Sequence, residues 1–177
     1  MMQDVGECFE EINQGEAEVL VQSSGMREAQ KEEFLAAFGQ EGTRSLVGFC
    51  VMGGIFGEGI DLKHDRLIGA VIIGTGLPQV NTEQEILKEY FDDKRGEDGF
   101  AYAYLYPGMN KVLQSAGRVI RTDEDEGVIL LLDERFAGRQ YLELFPREWA
   151  DYAFCTRKNA GEKIRSFWEE RRSDRGA

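Results

Sequence analysis

Short apolar runs alternate along this chain with stretches of helical spacing. EVLVQS (18–23) is short and β-rich. After the break at Gly25, MREAQKEEFLAAF repeats Met26, Ala29, Phe34, Ala37 and Phe38 at roughly helical spacing. SLVGFCVM (45–52), LIGAVIIG (67–74) and GVILLLD (127–133) are continuous apolar runs of strand length. A helix is predicted through EQEILKEYFDDK, capped by Asn81 or Thr82, with Glu85 in capping-box register to Thr82. GEDGFAYAYLYPG reads as a loop rich in glycine and aromatics, followed by a helix that carries QSAGRVIR. Unbroken rather than alternating apolar strands, interleaved with helices, predict an α/β fold: a parallel sheet covered by helices on both faces. Ligands of such sheets sit at the carboxyl ends of the strands.

A chain of 177 residues with 42% hydrophobic positions suits one domain with its own core. We expect that domain to span 1–150. The composition turns polar after Trp149, so 151–177 is expected to be an extension, partly helical or disordered. The three cysteines, Cys8, Cys50 and Cys155, are odd in number and far apart, which argues against a disulfide framework and fits a reducing cytoplasm. No apolar run reaches ~20 residues, so neither a membrane span nor a membrane partner is expected. A formal charge of −12 cautions against non-specific attraction to nucleic acid. The basic residues Lys111, Arg118, Arg121, Arg135, Arg139 and Arg147 nevertheless gather in the second half.

Two segments can carry chemistry. On a continuous helix Gln114, Arg118 and Arg121 would share one face, with Val112, Val119 and Ile120 opposite them on the sheet. Paired guanidiniums match the oxygens of a phosphoryl group, and Gly117 permits close approach of a backbone or a phosphate. The plainer reading pairs that face with the acidic TDEDE stretch after it. In GGIFGEGIDL, glycines 53, 54, 57 and 59 allow a tight turn from which Glu58 and Asp61 project. The alternative is an ordinary glycine turn after a strand. Neither this segment nor Gly74-Thr75-Gly76 has the spacing of a dinucleotide fingerprint.

What is missing bears on both. No G-x-x-x-x-G-K-[ST] occurs, so this sequence has no P-loop to cradle a triphosphate, and VILLLDER with Asp133 is a poor metal-binding strand without one. Asp133 and Arg135 are expected to satisfy loop and helix-end groups instead. The only histidine, His64, lies in KHDR and makes a poor general base; no metal site is expected. The aromatics Phe100, Tyr102, Tyr104 and Tyr106 either pack over the sheet edge or stack on bases beside Lys111.

FGEGIDL looks like helicase motif V, and QSAGRVIR looks like motif VI. With AVIIGTGLP, GVILLLDERF and LFPREW, they give residues 19–149 a resemblance to the C-terminal helicase domain of the XPD/DinG family of superfamily 2 DNA helicases. The resemblance implies a RecA-like, three-layer α/β/α domain, truncated at its N-terminal strand, whose partner is a first RecA-like domain carrying the P-loop. Arg121 and Arg118 would supply the arginine finger, and Gln114 would contact phosphate or position the attacking water. Glu58, Gly59, Asp61 and Gly117 would border the nucleotide, and Gly54, Phe56 and Lys111 would border single-stranded DNA. ATP and Mg2+ would be held mainly by the absent domain; the iron–sulfur cluster of many relatives would belong to the parent protein and not to this chain. The implied activity is that of an ATP-dependent DNA helicase, moving 5′ to 3′ in repair or replication, with this chain inactive alone. The alternative is a stand-alone, non-catalytic module that binds single-stranded DNA or a protein. A small-molecule enzyme is disfavoured, since no base or cofactor loop offers itself.

Overall fold

The structure, a computed structural model, describes residues 2–40, 42, 44–53, 67–122 and 124–175. Two compact units form, residues 1–136 and residues 137–177. The first unit mixes helices with parallel strand pairs.

The chain opens with a helix the apolar pattern did not single out, α1 (Met2–Asn13). It leads to strand β1 (Ala17–Val21), helix α2 (Glu28–Ala37) and strand β2 (Ser45–Phe49). β1 and β2 run parallel, in register from Ala17 opposite Ser45 to Val21 opposite Phe49. Successive strand residues face opposite sides, and here both sides are covered. Gly48 faces α2: a Cβ there would lie 2.7 Å from Phe38 Cζ and 3.2 Å from Phe34 Cζ, so only glycine lets those rings onto the strand. Phe49 faces α1, its ring 5.6 Å from that of Phe9, and a Cβ on buried Gly6 would lie 3.6 Å from Val21 Cγ2. The signal for α1 was the spacing of Val5, Phe9 and Asn13, diluted by the acidic residues between them.

The second pair joins β3 (Gly69–Ile73) and β4 (Val128–Leu132), also parallel, with Gly69 opposite Val128 and Ile73 opposite Leu132. Its apolar run is as continuous as the others, yet coverage is one-sided among the described residues. Ile72 is 6% exposed, whereas Val71 is 59%, Ile73 40% and Leu132 47% exposed. Among the described residues the strands thus form two separate two-stranded parallel sheets and not the single expected sheet, and helices lie against both faces of β1–β2 alone.

Helix α3 (Thr82–Tyr90) starts at Asn81, whose side-chain oxygen accepts from Gln84 N at 2.9 Å. Asn81, not Thr82, is the cap. The helix continues as a π-turn, Phe91–Arg95, and ends at Gly96 in the left-handed region, φ 66°. The predicted aromatic loop is in fact helical. Asp98 caps it by accepting from Ala101 N at 3.0 Å; a π-helical stretch, Ala101–Leu105, then runs directly into α4 (Tyr106–Ala116). The glycines and alternating aromatics suggested a loop, but burial includes the helical period through Ala101, Tyr104, Leu105, Gly108, Met109, Val112 and Ala116. The π-turn stands where Pro107 lacks an amide donor and crowds the carbonyl four residues back.

Residues 137–177 hold a short helix, α5 (Arg139–Leu142), and the terminal helix α6 (Ala160–Arg175). A turn in which Asn159 Oδ1 accepts from Thr156 N at 2.6 Å precedes α6. Before it, Phe145 meets Trp149 and Tyr152 edge-on, and Tyr152 meets Phe154. No helix among the described residues is long and apolar enough to cross a membrane.

Candidate functional site

The carboxyl ends of β2 and β3 converge on the first turns of α4. Gln22 ties off β1 and β2: its amide donates to Phe49 O at 2.9 Å, and its Oε1 accepts from Val51 N at 2.8 Å. The chain then turns through Gly53, at φ 75°, where the aliphatic stem of Lys111 lies across it; a Cβ on Gly53 would be 3.2 Å from Lys111 Cδ. After β3, Gly74 (φ 85°) and Gly76 (φ 66°) bend the backbone against α4. A Cβ on Gly76 would lie 2.8 Å from Gly108 O and 3.2 Å from Met52 Cε; one on Gly108 would lie 2.7 Å from Thr75 O. Both glycines are required by this close approach. Thr75 is 1% exposed, and its Oγ1 has no hydrogen-bond partner among the described residues.

Of the residues expected to border nucleotide or DNA, Gly54, Phe56, Glu58, Gly59 and Asp61 lie outside the described residues, as does His64. The junction therefore carries the site only up to Gly53, with Lys111 beside it.

The QSAGRVIR segment departs from the expected geometry. Helix α4 stops at Ala116, and the chain leaves it in tight turns: Arg118 N donates to Ser115 O at 3.2 Å and Val119 N to Ala116 O at 3.0 Å. Gln114 is exposed on the last turn of the helix, but Arg118 and Arg121 lie beyond it. The single helical face of Gln114, Arg118 and Arg121 is thus corrected to a helix end followed by a turn. Two contacts explain the change. Val119, 3% exposed, is drawn inward, and a Cβ on Gly127 would lie only 2.3 Å from Val119 Cγ1. The carboxylate of Asp125 accepts from Arg121 N at 3.0 Å and from Thr122 N at 2.9 Å, which stabilises a loop and not a further helical turn. Ile120, expected beside Val119 on the sheet, is 45% exposed instead. Gly117 has φ −65°, ordinary right-handed backbone that needs no glycine; a Cβ there would stand 3.2 Å from Leu113 O.

Asp125, which closes this turn, is the residue that motif reasoning passed over. Its signal was Thr122 three positions ahead, the spacing of an acidic side chain that closes a turn.

Asp133, at the end of β4, is occupied. Arg135 donates to it from Nε at 2.8 Å and Nη2 at 2.6 Å, and Arg135 N donates to Oδ1 at 2.9 Å. This fork holds the Asp133 carboxyl below its ordinary pKa, against the opposing effect of burial. The carboxylate satisfies its own loop, as its sequence context suggested. Among the described residues no three of His, Cys, Asp and Glu gather into a metal-binding group.

Polar contacts also brace the scaffold that presents α4. Tyr104, 4% exposed, donates its hydroxyl to Glu85 Oε1 at 2.5 Å. That bond, with burial, pushes the phenol up to about 12. Asp92 accepts from Gly99 N at 2.8 Å and from Lys88 Nζ at 3.0 Å, and both lower its pKa. Gly99 admits no side chain, since a Cβ would clash with Lys88 O.

Residues 1–152 match the helicase C-terminal domain family. The chain is 31% identical over 143 residues to the ATP-dependent DNA helicase YoaA of Escherichia coli, covering 80% of this chain and 21% of that protein. It is 37% identical over 90 residues to the ATP-dependent DNA helicase DinG of Photobacterium profundum, covering 50% of this chain and 13% of that protein. A regulator of telomere elongation helicase 1 homolog of Caenorhabditis briggsae is 30% identical over 124 residues, 64% of this chain and 12% of that protein. The chain therefore spans from about an eighth to about a fifth of the length of these relatives. The match runs through β1–β2, the glycine junction, α4 and the Asp125 turn, and this chain belongs to the helicase C-terminal domain family, with DinG- and YoaA-type ATP-dependent DNA helicases among its relatives.

Proposed function

We propose that this chain is the second RecA-like motor domain of an ATP-dependent DNA helicase that moves 5′ to 3′ in repair or replication. Its motor portion would run to about residue 150, followed by the polar extension, in the cytoplasm. The observation that carries the reading is the junction of Gly53, Thr75–Gly76, Gly108 and Lys111 at the carboxyl ends of β2 and β3, with the Arg118–Arg121 turn at the far end of the same helix. Helices α1 and α2 on opposite faces of β1–β2 support a three-layer arrangement.

In this reading the first RecA-like domain supplies the P-loop and the carboxylates that hold Mg2+, since Asp133 is engaged by Arg135. Guanidiniums on a braced turn fit the phosphate chain of ATP. Arg121, its backbone fixed by Asp125, would stabilise charge on the transferring phosphoryl group only when the two domains close. Arg118 would assist, and Gln114 would contact phosphate or orient the attacking water. Gly117, with Glu58, Gly59 and Asp61, would border the nucleotide. Gly54, Phe56 and Lys111 would face single-stranded DNA, so that one helix would join the strand contact to the arginine turn that follows its end. Any iron–sulfur cluster would sit in the parent protein, outside this chain.

The test is DNA-stimulated ATP turnover by the protein carrying both domains. Arg121→Ala is expected to lower turnover by at least about 10³-fold, the size of an arginine-finger effect, without loss of folding. Near-normal turnover, or ATP hydrolysis by this chain alone that Arg121→Ala abolishes, would overturn the assignment.

A further inference from the structure

The aromatic segment that the sequence left between packing and base stacking forms a continuous exposed surface. Rings touch in series: Tyr90 and Phe91 at 5.5 Å, Phe91 and Tyr102 stacked at 4.1 Å with planes 9° apart, and Tyr102 and Tyr106 at 5.2 Å. Tyr90 is 50% exposed and Tyr102 and Tyr106 are each 38% exposed; Ile86, at 61%, extends the surface along α3. A contiguous patch of this kind, unlike scattered apolar residues, marks an interaction surface.

Its rim decides the partner. Residues 81–106 carry Glu83, Glu85, Glu89, Asp92, Asp93, Glu97 and Asp98 against only Lys88, Lys94 and Arg95. Lys88 and Asp92 are committed to each other, Glu85 to the Tyr104 hydroxyl and Asp98 to Ala101 N, which leaves Glu83, Glu89, Asp93 and Glu97 against Lys94 and Arg95. Ile86 and Tyr90 share one face of α3, and Glu97 accepts from the Tyr102 hydroxyl, so a carboxylate stands beside an exposed ring. Such a rim repels a phosphodiester backbone, which removes base stacking as the use of these rings. A neutral apolar partner would strip water from the carboxylates and return nothing. Guanidinium and ammonium groups satisfy both features, because they stack on aromatic faces and pair with carboxylates. We propose that the aromatic, carboxylate-rimmed surface of α3 and the Tyr102–Tyr106 turns docks a lysine- and arginine-rich segment of a partner protein.

The inference does not depend on the motor reading, and its test needs no nucleotide. The probe is a fluorescein-labelled peptide of alternating arginine and glycine, titrated with the full chain near 0.15 M salt, where attraction beyond about 8 Å is screened. Tyr90→Ala is expected to weaken binding about threefold, the worth of one exposed cation–π contact. Glu89→Lys with Asp93→Lys should weaken it at least about tenfold, as a like-charge rim does. Glu32→Lys with Glu33→Lys, the same charge change on exposed positions of α2, should cost under about twofold. Absence of binding, or equal losses from the two charge pairs, would overturn the proposal. So would oligothymidylate binding that Tyr90→Ala abolishes, or self-association lost in that variant, which would assign the face to DNA or to a second copy.

Discussion

Val119 fills the space in front of Gly127: a Cβ added to that glycine would lie 2.3 Å from Val119 Cγ1 and 3.0 Å from Ile68 O. The contact pins the turn after α4 against the approach to β4, and it sets where the chain leaves the helix before Arg121. Gly127→Ala is therefore expected to lose about 1–3 kcal/mol of stability through overpacking. Adding Val119→Ala should recover part of the loss. Urea unfolding of the single and double variants measures both, and a strictly additive pair would show that the two residues do not share this space.

Lys111 lies over Gly53, the last described residue before motif V. If its ammonium meets a DNA phosphate, Lys111→Ala should weaken single-stranded DNA binding uniformly across sequences. It should also reduce the slope of log K against log salt by about 1. An unchanged slope would remove Lys111 from the DNA track.

Tyr104 and Glu85 give a pH signature. The phenol's pKa is raised in the folded chain, from 10 to about 12, because the neutral hydroxyl donates to Glu85. Stability from this bond is complete below pH 10, where the unfolded phenol is also neutral, and fades as pH rises toward 12. The wild-type chain should lose more stability than Tyr104→Phe between those limits. Denaturant midpoints in mildly and strongly alkaline buffer compare the two directly, and parallel losses would contradict the bond.

Thr75 buries a hydroxyl whose Oγ1 lacks a partner among the described residues. Thr75→Val keeps the shape and removes the unpaired group, so it should be neutral or stabilise by up to about 1 kcal/mol. A shift of the thermal midpoint downward by several degrees would mean that the hydroxyl is bonded after all.

Much of this was legible in the residues. Three continuous apolar runs marked β2, β3 and β4, the short EVLVQS marked β1, and parallel pairing followed from the helical spacing between them. The family resemblance rested on FGEGIDL and QSAGRVIR and agrees with the match over residues 1–152. The aromatic segment reads as a loop from sequence because glycines flank it and alternating alanine and tyrosine satisfies a strand's period of two as well as it fills one helical stripe. Asp98 at its start and the burial of Tyr104 and Leu105, three and four residues after Ala101, resolve it as helix. Helix α1 escaped notice because its narrow apolar stripe is visible only where Phe9 finds Phe49.

The sequence by itself determined the four strands, helices α2 and α3 and the family, since apolar period and short motifs are local properties of the chain. Tertiary structure decided where the motif VI helix ends. Spacing alone put Gln114, Arg118 and Arg121 on one face, but the end of α4 at Ala116 depends on partners distant in space or outside the helix. Val119 must reach the pocket before Gly127, and Asp125 must accept from two backbone amides. It also decided the chemistry of the aromatic surface, because only folding brings Phe91 onto Tyr102, sets Glu97 against the Tyr102 hydroxyl and leaves Tyr90 exposed.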